Sequence, residues 1–137
     1  MSYHVRAIGV IHSPFRTTAE APHQGSGGRF EIEVYPEFAE GLRGLERRTH
    51  LSVLYWLHES RPEGEDVGET PLVQLTPWDE TPRGVFATRS PRRPNPIGLS
   101  VVELLEVRGR TLVVSGLDAI EGTPVVDIKP HVRRLEP

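Results

Sequence analysis

Between Gly84 and Ser100 the chain reads GVFATRSPRRPNPIGLS, placing Arg89, Ser90, Arg92, Arg93 and Asn95 among three prolines, Pro91, Pro94 and Pro96. Each proline fixes its own φ and pushes the preceding residue towards extended geometry. The segment is therefore a stiff loop presenting guanidinium groups and an amide. A planar guanidinium fork suits phosphate, carboxylate or an aromatic face. The same composition also describes a solvated surface loop. A second concentration of chemistry is DAIEGTP, residues 118–124, with Asp118 and Glu121 ahead of a Gly-Thr-Pro sequence. Such a turn offers backbone groups beside carboxylate acceptors. It fits an amine, a ribose hydroxyl pair, a base amino group, or simply a hairpin turn.

Other chemistries are poorly supported. The six histidines show no paired spacing of the HxxxH kind, so no metal site is expected. His58, followed by Glu59 at the end of an apolar run, stands where a barrel would open to a ligand. Ser90, Ser100 and Ser115 lie in no GxSxG elbow, and no P-loop or dinucleotide fingerprint occurs. The GSGG sequence before Arg29 precedes a strand rather than a helix, so it reads as a loop and not as a phosphate cradle. The absence of cysteine excludes a disulfide scaffold, a thiolate zinc site and a thiol nucleophile.

The 137 residues suit one domain, 1–137, with a real core. No apolar run is long enough to span a membrane and no apolar signal core opens the chain, so a soluble cytoplasmic protein is expected. The formal charge of −3 disfavours a broadly cationic nucleic-acid binder. Yet 15 of the 16 basic residues are arginine, paired at 47–48, 92–93 and 133–134, while acidic residues gather from Glu59 to Glu69. That asymmetry permits a basic face on an acidic protein.

The elements that must carry these groups are short. Val5 to Ser13 predicts a strand. Phe30 to Tyr35 alternates cleanly, with Phe30, Ile32 and Val34 inward and Glu31, Glu33 and Tyr35 outward. Pro36 to Leu45 predicts a short helix turning Phe38, Leu42 and Leu45 inward. Leu51 to His58, apolar on nearly both faces, predicts a central strand. Leu72 to Leu75 reads as a strand, Trp78 to Arg83 as a turn and Val85 to Thr88 as a strand. Ile97 to Val107 reads as a long strand whose inward face switches from Ile97, Leu99 and Val101 to Val102 and Leu104, implying a bulge. Arg108-Gly109-Arg110 makes a hairpin turn into Thr111 to Leu117, and Thr123 to Lys129 is the last strand. Asp127 and Lys129 form an inward polar pair or a solvated face. Seven or eight strands without alternating helices predict an all-β protein, a small antiparallel β-barrel with one short helix.

Three stretches, GVIHSPF (9–15), GVFATRSPRRPNPIGLSVVELLEV (84–107) and SGLDAIEGTPVVDIKP (115–130), resemble the TsaA-like family, whose best-known members are the TrmO-type tRNA methyltransferases. The resemblance runs over nearly the whole chain and is to a short form, ending at Pro137 without the further C-terminal domain of longer members. It implies a homodimeric, non-Rossmann β-barrel that uses S-adenosyl-L-methionine to methylate N6 of N6-threonylcarbamoyladenosine at position 37, in the tRNA anticodon loop. Matched motif by motif, it implies cofactor contacts at Pro22, His23 and Gln24, at His58 and Glu59, at Arg89 and Leu99, and at Asp118, Glu121, Gly122, Thr123 and Pro124. The sequence departs from the family pattern at His23 and Glu121, which stand for Arg and Asp, and at Ser52, which stands for a tryptophan. Arg92, Arg93, Asn95 and Arg133 or Arg134 are the candidates for RNA contact. No side chain stands out as the proton acceptor. Two rival readings are a non-catalytic barrel that binds a small molecule or RNA, and a methyltransferase acting on another small substrate.

Overall fold

The structure is a computed structural model and describes residues 1–15, 28–59, 70–76 and 79–132. Those residues contain eight strands: β1 (Gly9–His12), β2 (Arg29–Val34), β3 (His50–Trp56), β4 (Val73–Thr76), β5 (Asp79–Gly84), β6 (Ile97–Arg108), β7 (Thr111–Ser115) and β8 (Thr123–Pro130). Six close a barrel in the order β1-β2-β7-β6-β3-β8, and β4 pairs with β5 as a separate two-stranded sheet. Closure leaves the six-stranded sheet no unpaired edge, the common solution for a chain of short strands without covering helices. The chain forms two compact units, one of residues 1–56 with 98–137 and one of residues 57–97.

Within the first unit, period-2 alternation fills the barrel. Ile11 of β1, Phe30, Ile32 and Val34 of β2, Leu51, Val53 and Tyr55 of β3, Val102 of β6, Leu112 and Val114 of β7, and Val125 of β8 are all buried. Each such side chain withdrawn from water contributes roughly 1.5–3 kcal/mol. Phe30 also meets Phe15 beyond β1, with ring centroids 6.1 Å apart. The register pairs Ile11 with Ile32, and Phe30 with Val114. The alternation expected of residues 30–35 and the antiparallel barrel are both present.

Several expectations are corrected. β1 begins only at Gly9, so residues 5–8 add no strand. The helix expected over Pro36 to Leu45 is two 3-10 helices, Pro36–Leu42 and Leu45–Arg47, neither with a buried residue. Phe38, Leu42 and Leu45 are only partly covered, because a 3-10 turn does not gather them on one face. β3 is half-buried rather than covered on both sides: Ser52, Leu54 and Trp56 face outward and retain exposure. It also stops at Trp56, so His58 sits in a turn and not at a strand end.

The face expected of β6 is reversed in its first half, at Ile97, Leu99 and Val101, while Val102 is buried as expected and Leu104 is partly covered. Ser100 and Val102 are buried, whereas Ile97, Leu99, Val101 and Leu105 are about two-fifths exposed, at 38%, 44%, 46% and 40%. The bulge is real, but lies between Leu104 and Glu106. In the second unit, residues 79–84 form a strand where a turn was expected, and Val85–Ala87 is a 3-10 helix where a strand was expected. Asp127 makes no pair into the core: it is partly exposed and its Oδ1 accepts from the backbone of Ile128 at 2.9 Å. Lys129 is exposed.

Candidate functional site

In the barrel unit, the segment from Gly116 to Gly122 joins β7 to β8 and carries both carboxylates of the DAIEGTP sequence. Its apolar residues Leu117, Ala119 and Ile120 are buried, which pins the backbone down. Asp118 anchors one side. Its Oδ1 accepts the Tyr55 hydroxyl at 2.8 Å, and that hydroxyl also lies 2.8 Å from Ser100 Oγ. Tyr55 is 3% exposed, so its phenolic group requires these partners. The ring leaves no room on β6: a Cβ on Gly98 would fall 2.4–2.9 Å from three of its ring atoms.

Glu121 anchors the other side. Its Oε1 accepts the Ser13 backbone N–H at 2.8 Å and its Oε2 lies 3.0 Å from His12 Nδ1. His12 Nε2 lies 2.9 Å from Glu33 Oε1 on β2. Backbone bonds run alongside, from Glu121 N–H to Phe15 O and from Gly122 N–H to Ile11 O. Thr123 is buried and its hydroxyl donates to Ile120 O at 2.7 Å, closing the turn on itself. Gly122 has φ +85°, and a Cβ there would meet nothing within 4 Å, so the backbone of the turn faces open space.

His12 carries two carboxylate partners, and these hold its pKa above the ordinary value. The hydrogen bond to Glu33 is the larger cause, that to Glu121 the second, and partial desolvation opposes them. Around this cluster lies a cleft of about 320 Å³, lined by His12, Ser13 and Pro14, Arg29 and Glu31, Arg108, Val113 and Glu121. Arg108 is balanced there by Glu31 at 3.2 Å and Glu106 at 3.1 Å. Among the described residues no group of three or more His, Cys, Asp or Glu side chains is arranged to hold a metal ion. None of their helices is long and apolar enough to cross a membrane.

In the unit of residues 57–97 the arginine loop is built as a tight structure. Arg93 Nη1 donates to the carbonyls of Thr88 and Ser90, at 3.0 and 3.1 Å. Ser90 Oγ accepts from Arg92 N–H and Thr88 Oγ1 accepts from Ser90 N–H. Gln74 Nε2 on β4 donates to Arg92 O at 2.8 Å, and Ile97 N–H donates to Asn95 O at 2.7 Å. Arg93 is thus a clasp within the loop, which spends part of its donor set on backbone oxygens. Arg89 and Asn95 are exposed and Arg92 is partly covered. His58 Nε2 lies 4.0 Å from Glu59 Oε1.

The structure therefore brings together Asp118, Glu121, Gly122, Thr123 and Pro124 in one turn, with Leu99 on β6 of the same unit. His58, Glu59, Arg89, Arg92, Arg93 and Asn95 belong to the other unit. Pro22, His23, Gln24 and Arg133 lie outside the described residues. The sequence reading missed His12, which bridges Glu33 and Glu121, and Tyr55, whose hydroxyl bridges Ser100 and Asp118. One signal was available: the outward face of β2 is Glu31 and Glu33, and the next strand in the barrel ends in His12.

The tRNA-methyltransferase O N-terminal domain model matches residues 10–136. An Archaeoglobus fulgidus relative named "Probable S-adenosyl-L-methionine-binding protein" is 53% identical over 99% of this chain, which spans 36% of that protein. The Escherichia coli tRNA (adenine(37)-N6)-methyltransferase is 40% identical over 96% of the chain, which spans 58% of it. The crystal structure of TrmO from Pseudomonas aeruginosa superposes with a TM-score of 0.78 at 36% identity, covering 99% of this chain and 59% of that one. A barrel of this topology, carrying the Glu121–Pro124 turn and the Arg89–Asn95 loop inside a match of that extent, belongs to the family of TrmO N-terminal domains.

Proposed function

We propose that this protein is an S-adenosyl-L-methionine-dependent methyltransferase acting on N6 of N6-threonylcarbamoyladenosine at position 37 of tRNA. The observation that carries the reading is the family match over residues 10–136, joined to a 40%-identical relative named for methylation at that nucleotide. The residues present suit the cofactor. Gly122 leaves the turn backbone open to close approach. The anchored carboxylates of Asp118 and Glu121 favour a neighbouring sulfonium or amino group, and Leu99 is 44% exposed, offering apolar surface. Arg89 is assigned the cofactor carboxylate, for which a guanidinium fork is suited. Pro22, His23, Gln24, His58 and Glu59 are assigned the remaining contacts.

S-adenosyl-L-methionine supplies the electrophilic methyl group. The protein's work is then alignment and exclusion of water. N6 of the modified base belongs to a urea-like group, whose N–H is more acidic than that of adenine. Hydrogen bonds to its carbonyl oxygen would stabilise the charge that develops there. The nucleotide must be splayed out of the anticodon loop to be reached. Arg92, Asn95 and Arg133 are assigned the loop phosphates and base edges, and Arg93 the shape of the loop that presents Arg92. A homodimer fits the exposed apolar stripe of Leu99, Val101 and Leu105 on β6, flanked by Leu54 and Trp56 of the neighbouring β3. A cytoplasmic location follows from the tRNA substrate.

The test is calorimetric titration with S-adenosyl-L-methionine, repeated with Arg89→Ala, followed by methyl transfer to tRNA with and without the threonylcarbamoyl group. Saturable binding weakened by the substitution, and transfer only to the modified tRNA, is the expected result. Binding without transfer to either RNA would favour the second reading, a barrel that binds S-adenosyl-L-methionine without transferring its methyl group. The 53%-identical relative, named for binding alone, speaks for that alternative.

A further inference from the structure

Glu121 is committed on both oxygens, one to the Ser13 N–H and one to His12. His12 is committed on both ring nitrogens, to Glu33 on β2 and Glu121 on the turn. Ionised carboxylates only accept hydrogen bonds, and neutral imidazole has one N–H to give. The doubly protonated ring alone satisfies both partners. With one proton gone, a ring lone pair faces a carboxylate oxygen at about 3 Å, and that side of the bridge opens. The turn Glu121–Pro124 is joined to β1 directly behind His12, through Ser13 N–H to Glu121, Gly122 N–H to Ile11 O and Glu121 N–H to Phe15 O. Among the described residues the carboxylate of Glu121 therefore takes a backbone donor, Ser13 N–H, and a titratable donor, His12.

We infer that His12 is a positioning residue for the ligand-binding turn: by bridging Glu33 and Glu121 it clamps Glu121–Pro124 to the end of β1, and ligand affinity at the turn follows the integrity of that bridge. The inference rests on the cofactor assignment of the turn made above. The groups facing His12 support a cationic ring. Glu33 and Glu121 touch it, and Glu31 lines the same cleft. Of the cations there, Arg108 is taken up by Glu31 and Glu106, and Arg29 lies at the cleft wall. The raised pKa of His12 agrees with this balance. His12 touches no reacting atom in this scheme; it acts through Glu121.

The experiment has two arms on the full chain. In the first, ligand-free ¹⁵N-labelled protein is titrated by NMR from pH 5 to 9. The Ser13, Glu121 and Gly122 amides should shift with the same midpoint as the His12 ring nitrogens, and these shifts should vanish in His12→Gln. In the second, affinity for S-adenosylhomocysteine is measured across the same range for wild type, His12→Arg and His12→Gln. Arginine keeps two donors and a permanent charge, so the affinity ratio of wild type to His12→Arg cancels the ligand's own titration. That ratio should fall about fivefold as His12 loses its proton, with His12→Gln weak throughout. Amides that ignore the His12 titration, or a ratio independent of pH in protein that binds, would overturn the clamp. Amides that follow His12 in protein that binds no ligand at any pH would uphold the clamp and sink the cofactor reading instead.

Discussion

Replacing Gly98 by alanine puts one methyl group where the structure has none to spare. The added Cβ would stand 2.4, 2.7 and 2.9 Å from Cε2, Cζ and Cδ2 of Tyr55. The ring cannot swing away cheaply, because it is 3% exposed and its hydroxyl is held by Ser100 and Asp118. Overpacking of this kind costs about 1–3 kcal/mol. Displacing the hydroxyl from one of its two partners adds about 1 kcal/mol. The expected destabilisation is therefore about 2–4 kcal/mol. An unfolding entropy of about 2.1 cal/mol/K per residue, over a chain of 137 residues, converts this to a fall in melting temperature of about 7–14 °C. Scanning calorimetry of the variant reads that number directly. The cause is isolated by repeating the substitution in a Tyr55→Ala background, where the methyl group has space and the cost should drop below about 1 kcal/mol. A Gly98→Ala protein melting within 2 °C of wild type, or one equally damaged with and without the Tyr55 ring, refutes the steric argument.

Tyr55→Phe keeps the ring and removes only the hydroxyl, leaving Ser100 and Asp118 to find other partners; a loss of about 1–3 kcal/mol in urea unfolding is expected, with increased amide exchange in residues 116–119. Gly122→Ala meets no neighbour but must hold φ +85°, so it should cost about 1 kcal/mol from backbone strain alone, read as a lower denaturation midpoint with unchanged slope. His12 links stability to pH: its folded pKa lies above the unfolded value near 6.5, so its contribution is complete below about 6.5 and disappears as pH rises through the folded value. Thermal melts from pH 5 to 9 should show that decline in wild type and lose it in His12→Gln. Arg92→Glu should weaken tRNA binding and its salt dependence while sparing cofactor affinity; equal losses in both assays would break the proposed division between Arg92 and the cofactor contacts.

The barrel was legible wherever one face of a strand was polar. In β2 the order Phe-Glu-Ile-Glu-Val leaves a single way to hide the apolar groups, and the structure adopts it. The carboxylate turn was legible too, because glycine and proline mark it. β6 was not, since Ile97, Leu99, Val101, Val102, Leu104 and Leu105 put apolar residues in both phases. Hydrophobic pattern alone then favours the phase with more branched residues near the start. What decides the phase lies far away in sequence: Gly98 makes room for the Tyr55 ring and Ser100 reaches its hydroxyl, so the inward face of β6 is chosen by a polar contact. The site shows the same division. Asp118 and Glu121 could be singled out as acids, but their partners stand 63 and 109 residues away, and only barrel closure brings β1 and β3 on either side of the turn, as neighbours of β8. Reading the two carboxylates as ligands for a cofactor's cationic groups therefore stopped one step short. Each first fixes the turn to a different wall of the barrel, and it is this double anchoring that leaves the backbone at Gly122 rigid and open.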